Sequence, residues 1–418
     1  MPNPNLCVNR GEDMKLLAYK YRLYPTKEQE ILLGKSFGCA RWVYNWALAQ
    51  KTKVYQETGK GISSFALIKE VAKLKGAEET AWLSEVNSQA LQSAVQHLDM
   101  AFTRFFKKEA EFPTFKGKYD RQSFANPQAC DVDFETGRIV LPKFREGIKA
   151  VLHRKFEGKI KTVTVSRTKT GKYYASVLVE TDGEWPTAPE PTEGRTVGID
   201  LGLKTYATLS DGTKIENPRH LAKRLKHLRR ESRRLSRKVK GSKNREKQRI
   251  RLASVHEKVA HSRNDFLHQI TARLVKNQDC DSFAIEDLSV AGMVKNKRLA
   301  RHISDAGWGT FRQFLEYKAK RHGKNVLVIG RFEPSSRLCT CGELNHELTL
   351  RDRTWKCKEC GSEHDRDVLA ANNIKRFAFR KQNTGKDLVA TDGREFTLVE
   401  TAPSAVVEAR SSRIHSGE

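Results

Sequence analysis

A carboxylate delivered by an apolar strand constrains this chain more than any other feature. Thr196 to Ser210 reads TVGIDLGLKTYATLS: an apolar, β-rich approach brings in Asp200, glycines bracket it at Gly198 and Gly202, and a second alternating run from Lys204 to Leu209 folds back behind it. A buried strand end rejects an unpaired carboxylate, because taking a charge out of water without a partner is costly. Asp200 therefore either caps a turn or faces a cation.

Two further stretches offer it company. Asp281 to Ser289, DSFAIEDLS, reads as a short strand ending in Glu286, and Gly361 to Ile374, GSEHDRDVLAANNI, opens a helix with Asp365 or Asp367. The order strand, strand, strand, helix, strand, helix, strand, helix is that of a ribonuclease H-like fold. In such a fold three carboxylates converge on a pair of divalent ions about 3.5–4 Å apart, which activate water and stabilise the leaving oxygen of a phosphodiester. Oxygen ligands suit Mg²⁺, which keeps several of its waters. Taken singly, each acid is better explained as a cap; three in this order reverse that and favour a metal, which relieves their mutual repulsion.

Charge names the partner. Lys and Arg number 77 against 50 acids, a net charge of +27 over 418 residues, so the natural ligand is a polyanion. More than half of the surplus lies in residues 219 to 263, with 18 Lys or Arg against three Glu. Leu221, Leu225, Leu228 and Leu235 recur there at coiled-coil intervals and Gly241 breaks the run, which predicts a helical hairpin with a leucine seam. Its basic face, with Arg224, Arg229, Arg230, Arg233, Arg234, Arg237 and Lys238, is expected to meet phosphates in a salt-dependent, sequence-independent way. No run of eighteen apolar residues exists, and MPNPNLCVNRGED lacks a signal-peptide core, which points to a cytoplasmic, nucleoid-associated protein with no membrane partner. No feature calls for an obligate protein partner.

The chain is long enough for two or three domains. Residues 1–13 read as a disordered leader. Residues 14–180 are expected to form a β-barrel carrying a helical insert over about 26–110. Within it Lys15–Tyr24 alternates as a strand, Thr26 and Gln29 make a capping box, and a hairpin turns around Lys169-Thr170-Gly171. The proline-rich, acidic stretch TDGEWPTAPEPTEG, 181–194, reads as a linker. Residues 195–380 are expected to form the α/β nuclease domain, and 381–418 a disordered tail. The class is thus α+β. Near the C-terminus Cys339-Thr-Cys341 and Cys357-Lys-Glu-Cys360 suggest a closed, structural Zn²⁺ ribbon over 336–363. C-x-C is a strained chelate, and His346 and His364 are candidate substitutes.

GIDLG, AIEDL, ISDAGW, CKECG and HDRDVLAANNI, in this order and spacing, resemble the TnpB (OrfB) proteins of insertion sequences, over about Met14 to Arg380. The resemblance implies a RuvC-type nuclease domain with an inserted zinc ribbon, a wedge-like barrel, and RNA-guided cleavage of double-stranded DNA beside a short flanking motif. It implies a guide RNA from the transposon end, two Mg²⁺ ions and one Zn²⁺. The family pattern D-R-D-x-N-A-A-x-N-I assigns the third metal ligand to Asp367, beside Asp200 and Glu286, and leaves Asp365 as a turn or cap residue. Leu369 stands where that pattern has Asn, so a hydrogen bond behind the ligands is expected to be missing; Asn373 is kept. Gln92 matches a position suited to a base edge, but a solvated polar helix residue explains it better and it is not counted among the site residues. Asp305 of ISDAGW reads either as a carboxylate behind the metal ligands or as a helix cap. In the family the first cysteine pair is C-x-x-C, which this chain shortens. The rivals are a transposase using the same acids, a nuclease-dead RNA-guided repressor, and an actin- or Hsp70-like ATPase, whose second phosphate loop is missing from the sequence.

Overall fold

The computed structural model describes residues 15–349 and 351–380, so the expected leader and tail lie outside the described residues. The chain divides into two compact units between Glu184 and Trp185, and no helix among the described residues is long and apolar enough to cross a membrane.

The first unit begins with strand β1 (Lys15–Tyr24), whose alternation buries Tyr21 and Leu23 completely. Helix α1 (Lys27–Thr58) starts at the expected capping box: Thr26 accepts from the Gln29 amide and the Gln29 side chain accepts from the Thr26 amide. With α2 (Ser64–Leu74) and α3 (Ser88–Phe106) it forms a helical insert before the sheet resumes. The apolar spacing of α1 and α3 is spent on one core, where Phe37, Val43 and Leu48 meet Leu91, Val95 and Leu98. Gln92 is exposed on α3.

Strands β2 (Gln122–Asn126), β3 (Asp131–Asp133), β4 (Arg138–Leu141), β5 (Phe144–Val151), β6 (Lys159–Arg167) and β7 (Tyr173–Thr181) complete the sheet. The β6–β7 hairpin pairs Arg167 with Tyr173 and turns through Gly171 at φ 84°. The strand order is β2-β6-β7-β1-β5-β4-β3, and its ends β2 and β3 do not pair. The expected closed barrel is therefore an open seven-stranded sheet among the described residues. Closure needs strand tilt and stagger to bring the two edges together, and alternation within single strands does not encode that.

The second unit is built on a five-stranded sheet of order β10-β9-β8-β11-β12. β8 (Thr196–Leu201), β9 (Thr205–Leu209) and β10 (Lys214–Glu216) are antiparallel; β11 (Ser282–Glu286) and β12 (Asn325–Ile329) extend β8 in parallel. Helices α4 (His220–Ser236) and α5 (Lys243–Lys276) separate β10 from β11, and α6 (Val290–Met293), α7 (Ala300–Ala306) and α8 (Trp308–Arg321) separate β11 from β12. A short hairpin of β13 (Thr354–Lys356) and β14 (Glu363–Asp365) then leads into α9 (Arg366–Arg380). One sheet face packs Ile199, Phe283 and Ile285 against Leu267 and Ile270 of α5 and Phe311 and Leu315 of α8. The other face packs Ala284 and Ile329 against Ile374, Phe377 and Ala378 of α9. Burial on both faces is why β8 and β11 read as continuous apolar runs.

The basic hairpin forms, and its leucines lie on the covered face of α4 around a polar centre. Leu221, Leu225, Leu228 and Leu235 are half-buried where most of α4 is exposed, and the one fully buried residue of α4 is Glu231. Its carboxylate accepts from Gln248 Nε2 on α5 at 2.8 Å and from Arg234 at 3.1 Å, while Arg245 donates to the carbonyls of Leu235 and Lys238. A polar clasp holds the two helices, and a buried carboxylate tolerates this because its oxygens are satisfied. Asp305 closes the base of the hairpin: both its oxygens accept from the Leu221 amide, at 2.9 and 3.0 Å, where α4 has no side-chain cap of its own. It caps a helix 84 residues away in sequence.

Candidate active site

Asp200, Glu286 and Asp367 arrive by three routes. Ile285 of β11 lies opposite Ile199 of β8. Glu286 and Asp200 therefore follow side by side on neighbouring parallel strands and leave the sheet on the same face. That face belongs to α9. Gly198, two residues before Asp200, shares it, and a Cβ there would lie 1.9 Å from the Ala371 carbonyl oxygen and 3.1 Å from Lys375 Cβ. The first glycine of GIDLG thus lets α9 lie directly on β8, which brings the first turn of α9, with Asp367, beside the strand end that carries Asp200. Asp365 is spent elsewhere: it accepts from the Asp367 and Val368 amides at 3.1 Å and pairs with Lys214 at 2.6 Å.

Glu286 and Asp367 press on Asp200. Burial, then Glu286, then Asp367 push Asp200 up to about 7, with Arg366 and Arg353 pulling the other way. Glu286 is raised by burial, against the Ser335 hydroxyl, which donates to its Oε1 at 2.7 Å. Arg353 of the ribbon reaches Asp367 at 3.4 Å. Asp200, Asp367 and Arg353 line a cavity of about 110 Å³ with Lys204, Thr205 and Thr208. Next to Glu286, Asp287 is braced by Arg312 at 3.0 Å and Arg331 at 2.7 Å. This donor set fits hard, oxygen-seeking cations: three carboxylates, Asp200 held well above its usual range by burial and by the other two, with Asp200 and Asp367 facing a small polar cavity. Among the described residues only four cysteines gather three or more ligand atoms within 4.8 Å.

Those cysteines are Cys339, Cys341, Cys357 and Cys360. The sulfurs of Cys339 and Cys360 lie 3.5 Å apart and those of Cys341 and Cys357 3.7 Å apart. A zinc tetrahedron with 2.3 Å bonds sets sulfurs roughly 3.8 Å apart, so the set fits Zn²⁺ in spite of the short first pair. The second pair keeps a regular knuckle, with the Gly361 amide on the Cys357 carbonyl; in the first, the Gly342 amide takes the Cys339 carbonyl at φ 101°. Ser362 beside Cys360 draws its thiol down to about 6, toward the thiolate a metal needs. His364 Nε2 stands 3.0 Å from Cys339 Sγ, whereas His346 is exposed. Leu369 is buried with Cys339, Leu348, Trp355 and Cys357. It anchors α9 to the ribbon in place of the hydrogen bond expected of Asn. One Zn²⁺ per chain is expected by mass spectrometry. Its chelation should release the second unit's Trp355 to solvent, read as a red-shifted emission with a lower melting temperature.

Arg224, Arg229, Arg230, Arg233, Arg234, Arg237 and Lys238 are all exposed, with Arg230 and Arg234 also flanking Glu231. Ser335, Arg353 and Arg366 escaped sequence reasoning. A serine in FEPSSRL carries no local signal, and the two arginines belong to a region dense in cations.

Comparison with known proteins fits this architecture. A solved structure titled as the Cas12f1-sgRNA-target DNA complex shares the fold with a TM-score of 0.53 at 13% identity, covering 87% of this chain and 99% of that one. The fold is thus shared with the protein of that complex. A family model described as "Probable transposase" (OrfB of IS605) matches residues 174–297, one described as "Helix-turn-helix domain" matches 14–60, and a "Cas12f1-like, TNB domain" matches 308–374. A "Putative RNA-guided DNA endonuclease" of Streptomyces pristinaespiralis is 41% identical over 85% of this chain and 88% of its own length. One of Escherichia coli K12 is 35% identical over 86% and 92%. The chain belongs to the IS605 OrfB family, the TnpB proteins.

Proposed function

We propose that the protein is the RNA-guided, metal-dependent DNA endonuclease of an insertion sequence. On this reading it cleaves double-stranded target beside a short transposon-associated motif, using a guide RNA from the transposon end. The observation that carries it is the meeting of Asp200, Glu286 and Asp367 on the α9 face of the β10-β9-β8-β11-β12 sheet, an order that supports a ribonuclease H-like, RuvC-type reading. Family membership supports the RNA guide and the DNA target, and guide pairing would read the target sequence.

The three carboxylates would hold two Mg²⁺ ions, which supply water activation and stabilise the departing 3′ oxygen. The chain's own groups prepare that chemistry. Asp200 and Glu286 sit on rigid neighbouring strands, so little reorganisation remains at the moment of reaction. Arg353 pairs with Asp367 at 3.4 Å, and with a cation held by Asp367 its guanidinium would be free for a phosphate oxygen. The exposed arginines of α4 would hold nucleic-acid backbone, with affinity falling steeply as salt rises. The ribbon would be structural, its zinc closed to substrate.

Co-expression with flanking transposon DNA, sequencing of the RNA that copurifies, and challenge of a randomised plasmid library in Mg²⁺ test the proposal. Cleavage beside one enriched motif is expected. Bound RNA and target retention without cleavage would favour a repressor, whereas strand joining without bound RNA would favour a transposase.

A further inference from the structure

Behind Glu286 lies a relay that spans three segments. Asn373 on α9 is fully buried and uses its side-chain amide twice, donating to the Ser335 carbonyl at 2.8 Å and to the Leu338 carbonyl at 2.6 Å. Those two bonds pin the turn Pro334–Leu338, itself closed by the Leu338 amide on the Pro334 carbonyl. The pinned turn presents the Ser335 hydroxyl to Glu286 Oε1 at 2.7 Å. Cys339, the first ribbon cysteine, follows directly and is fully buried.

We propose that Ser335 is a positioning residue that holds Glu286 in its working rotamer, and that Asn373 sets Ser335 through the main chain. The inference rests on the metal-site reading above and deepens it. A glutamate has three side-chain torsions, and an unrestrained one would spread its charge over many positions. With Oε1 committed to the hydroxyl, Oε2 is the oxygen left for a cation beside Asp200. The same helix carries Asp367 in its first turn and Asn373 six residues later, so α9 fixes one metal-binding acid directly and another through the relay. The relay also ties the ribbon to the acids, because Leu338, the last residue of the pinned turn, directly precedes Cys339. Partners of this kind, behind the ligands, are worth roughly 10- to 100-fold in metal affinity or activity.

Ser335→Ala removes the hydroxyl and keeps the carbonyl that Asn373 uses, so the turn should survive. Mn²⁺ binding to the full chain, followed by the loss of the free-ion electron paramagnetic resonance signal, is expected to weaken about 10-fold relative to the parent, with Asp200→Ala as the reference for an emptied site. The Mg²⁺ concentration for half-maximal cleavage should rise in parallel, with much of the rate recovered at saturation. Melting temperature and zinc content should not change, and Ser335→Thr, which keeps the hydroxyl, should bind Mn²⁺ as the parent does. Parent-like Mn²⁺ affinity in Ser335→Ala overturns the inference. So does a loss of zinc or of melting temperature that accounts for the weaker binding, since the serine would then be structural. If Asp200→Ala itself binds Mn²⁺ as tightly as the parent, the carboxylate metal site is wrong and the Ser335 role falls with it.

Discussion

Asp200→Ala is expected to lower cleavage by roughly 10³-fold or more, about 4 kcal/mol of transition-state stabilisation, while the copurified RNA is retained. The loss is large because Asp200 is the member of the cluster on which the other two act: Glu286 and Asp367 both press its charge, and burial presses harder. The conservative partner, Asp200→Asn, adds a signature that activity cannot give. Asp200 is held at about 7 in the folded chain against an ordinary 3.8. Between those values the folded chain keeps a proton that the unfolded chain has released. Stability in Mg²⁺-free buffer should therefore fall as pH rises from about 4 to about 7, and stay reduced above. Asn does not titrate, so that segment of the melting profile should flatten in Asp200→Asn. In the parent, added Mg²⁺ should offset the loss at higher pH, since the ion binds the carboxylate that the proton has left. A melting series with and without Mg²⁺ reads all of this. An Asn variant that kept the parent's slope, or that cut DNA at the parent's rate, would remove Asp200 from the site.

How far the sequence discloses such a site depends on whether the signal is local. Asp200 and Glu286 are legible because an acid at the end of an apolar strand is anomalous within a few residues of itself. Asp367 is not separable from Asp365 in this way: both open the same helix, and only capping geometry divides them, one carboxylate being spent on two amides and Lys214. In the basic hairpin, leucine periodicity marks the half-buried face of α4 but gives no sign of the buried Glu231–Gln248 contact within it. Periodicity reports which residues share a face, not which partner waits there. Open and closed sheets share the same alternation within strands, so the unpaired ends β2 and β3 could not be foreseen. Ser335 and Asn373 lie 38 residues apart and meet only through the turn that the ribbon follows. Leu369 reads as a defect against the family pattern, but in the fold it is an apolar anchor between α9 and the ribbon.

Gly198→Ala should be the most damaging single methyl group in the second unit. The added Cβ would stand 1.9 Å from the Ala371 carbonyl oxygen, a main-chain atom in mid-helix that has no rotamer with which to retreat. α9 must lift off β8 or the strand must sink. Overpacking of this kind costs about 3 kcal/mol at the upper end of its usual range, which in a unit of this size lowers the melting temperature by about 6–12 °C. Function should fail further than stability. The helix that moves carries Asp367 in its first turn and Asn373 in its second, so two of the three acids lose their placement together, and a misplacement of about 1 Å costs roughly 10²-fold in rate. Gly309→Ala is the matching control. That glycine lies on α8 with nothing within 4 Å of the position its Cβ would take. There the same substitution should be neutral or stabilise by up to about 1 kcal/mol, since alanine is the better helix former. If folded Gly198→Ala cut target DNA at the parent's rate, close approach of α9 to β8 would not be what assembles the acids, and the two glycine variants should then be indistinguishable in cleavage as well.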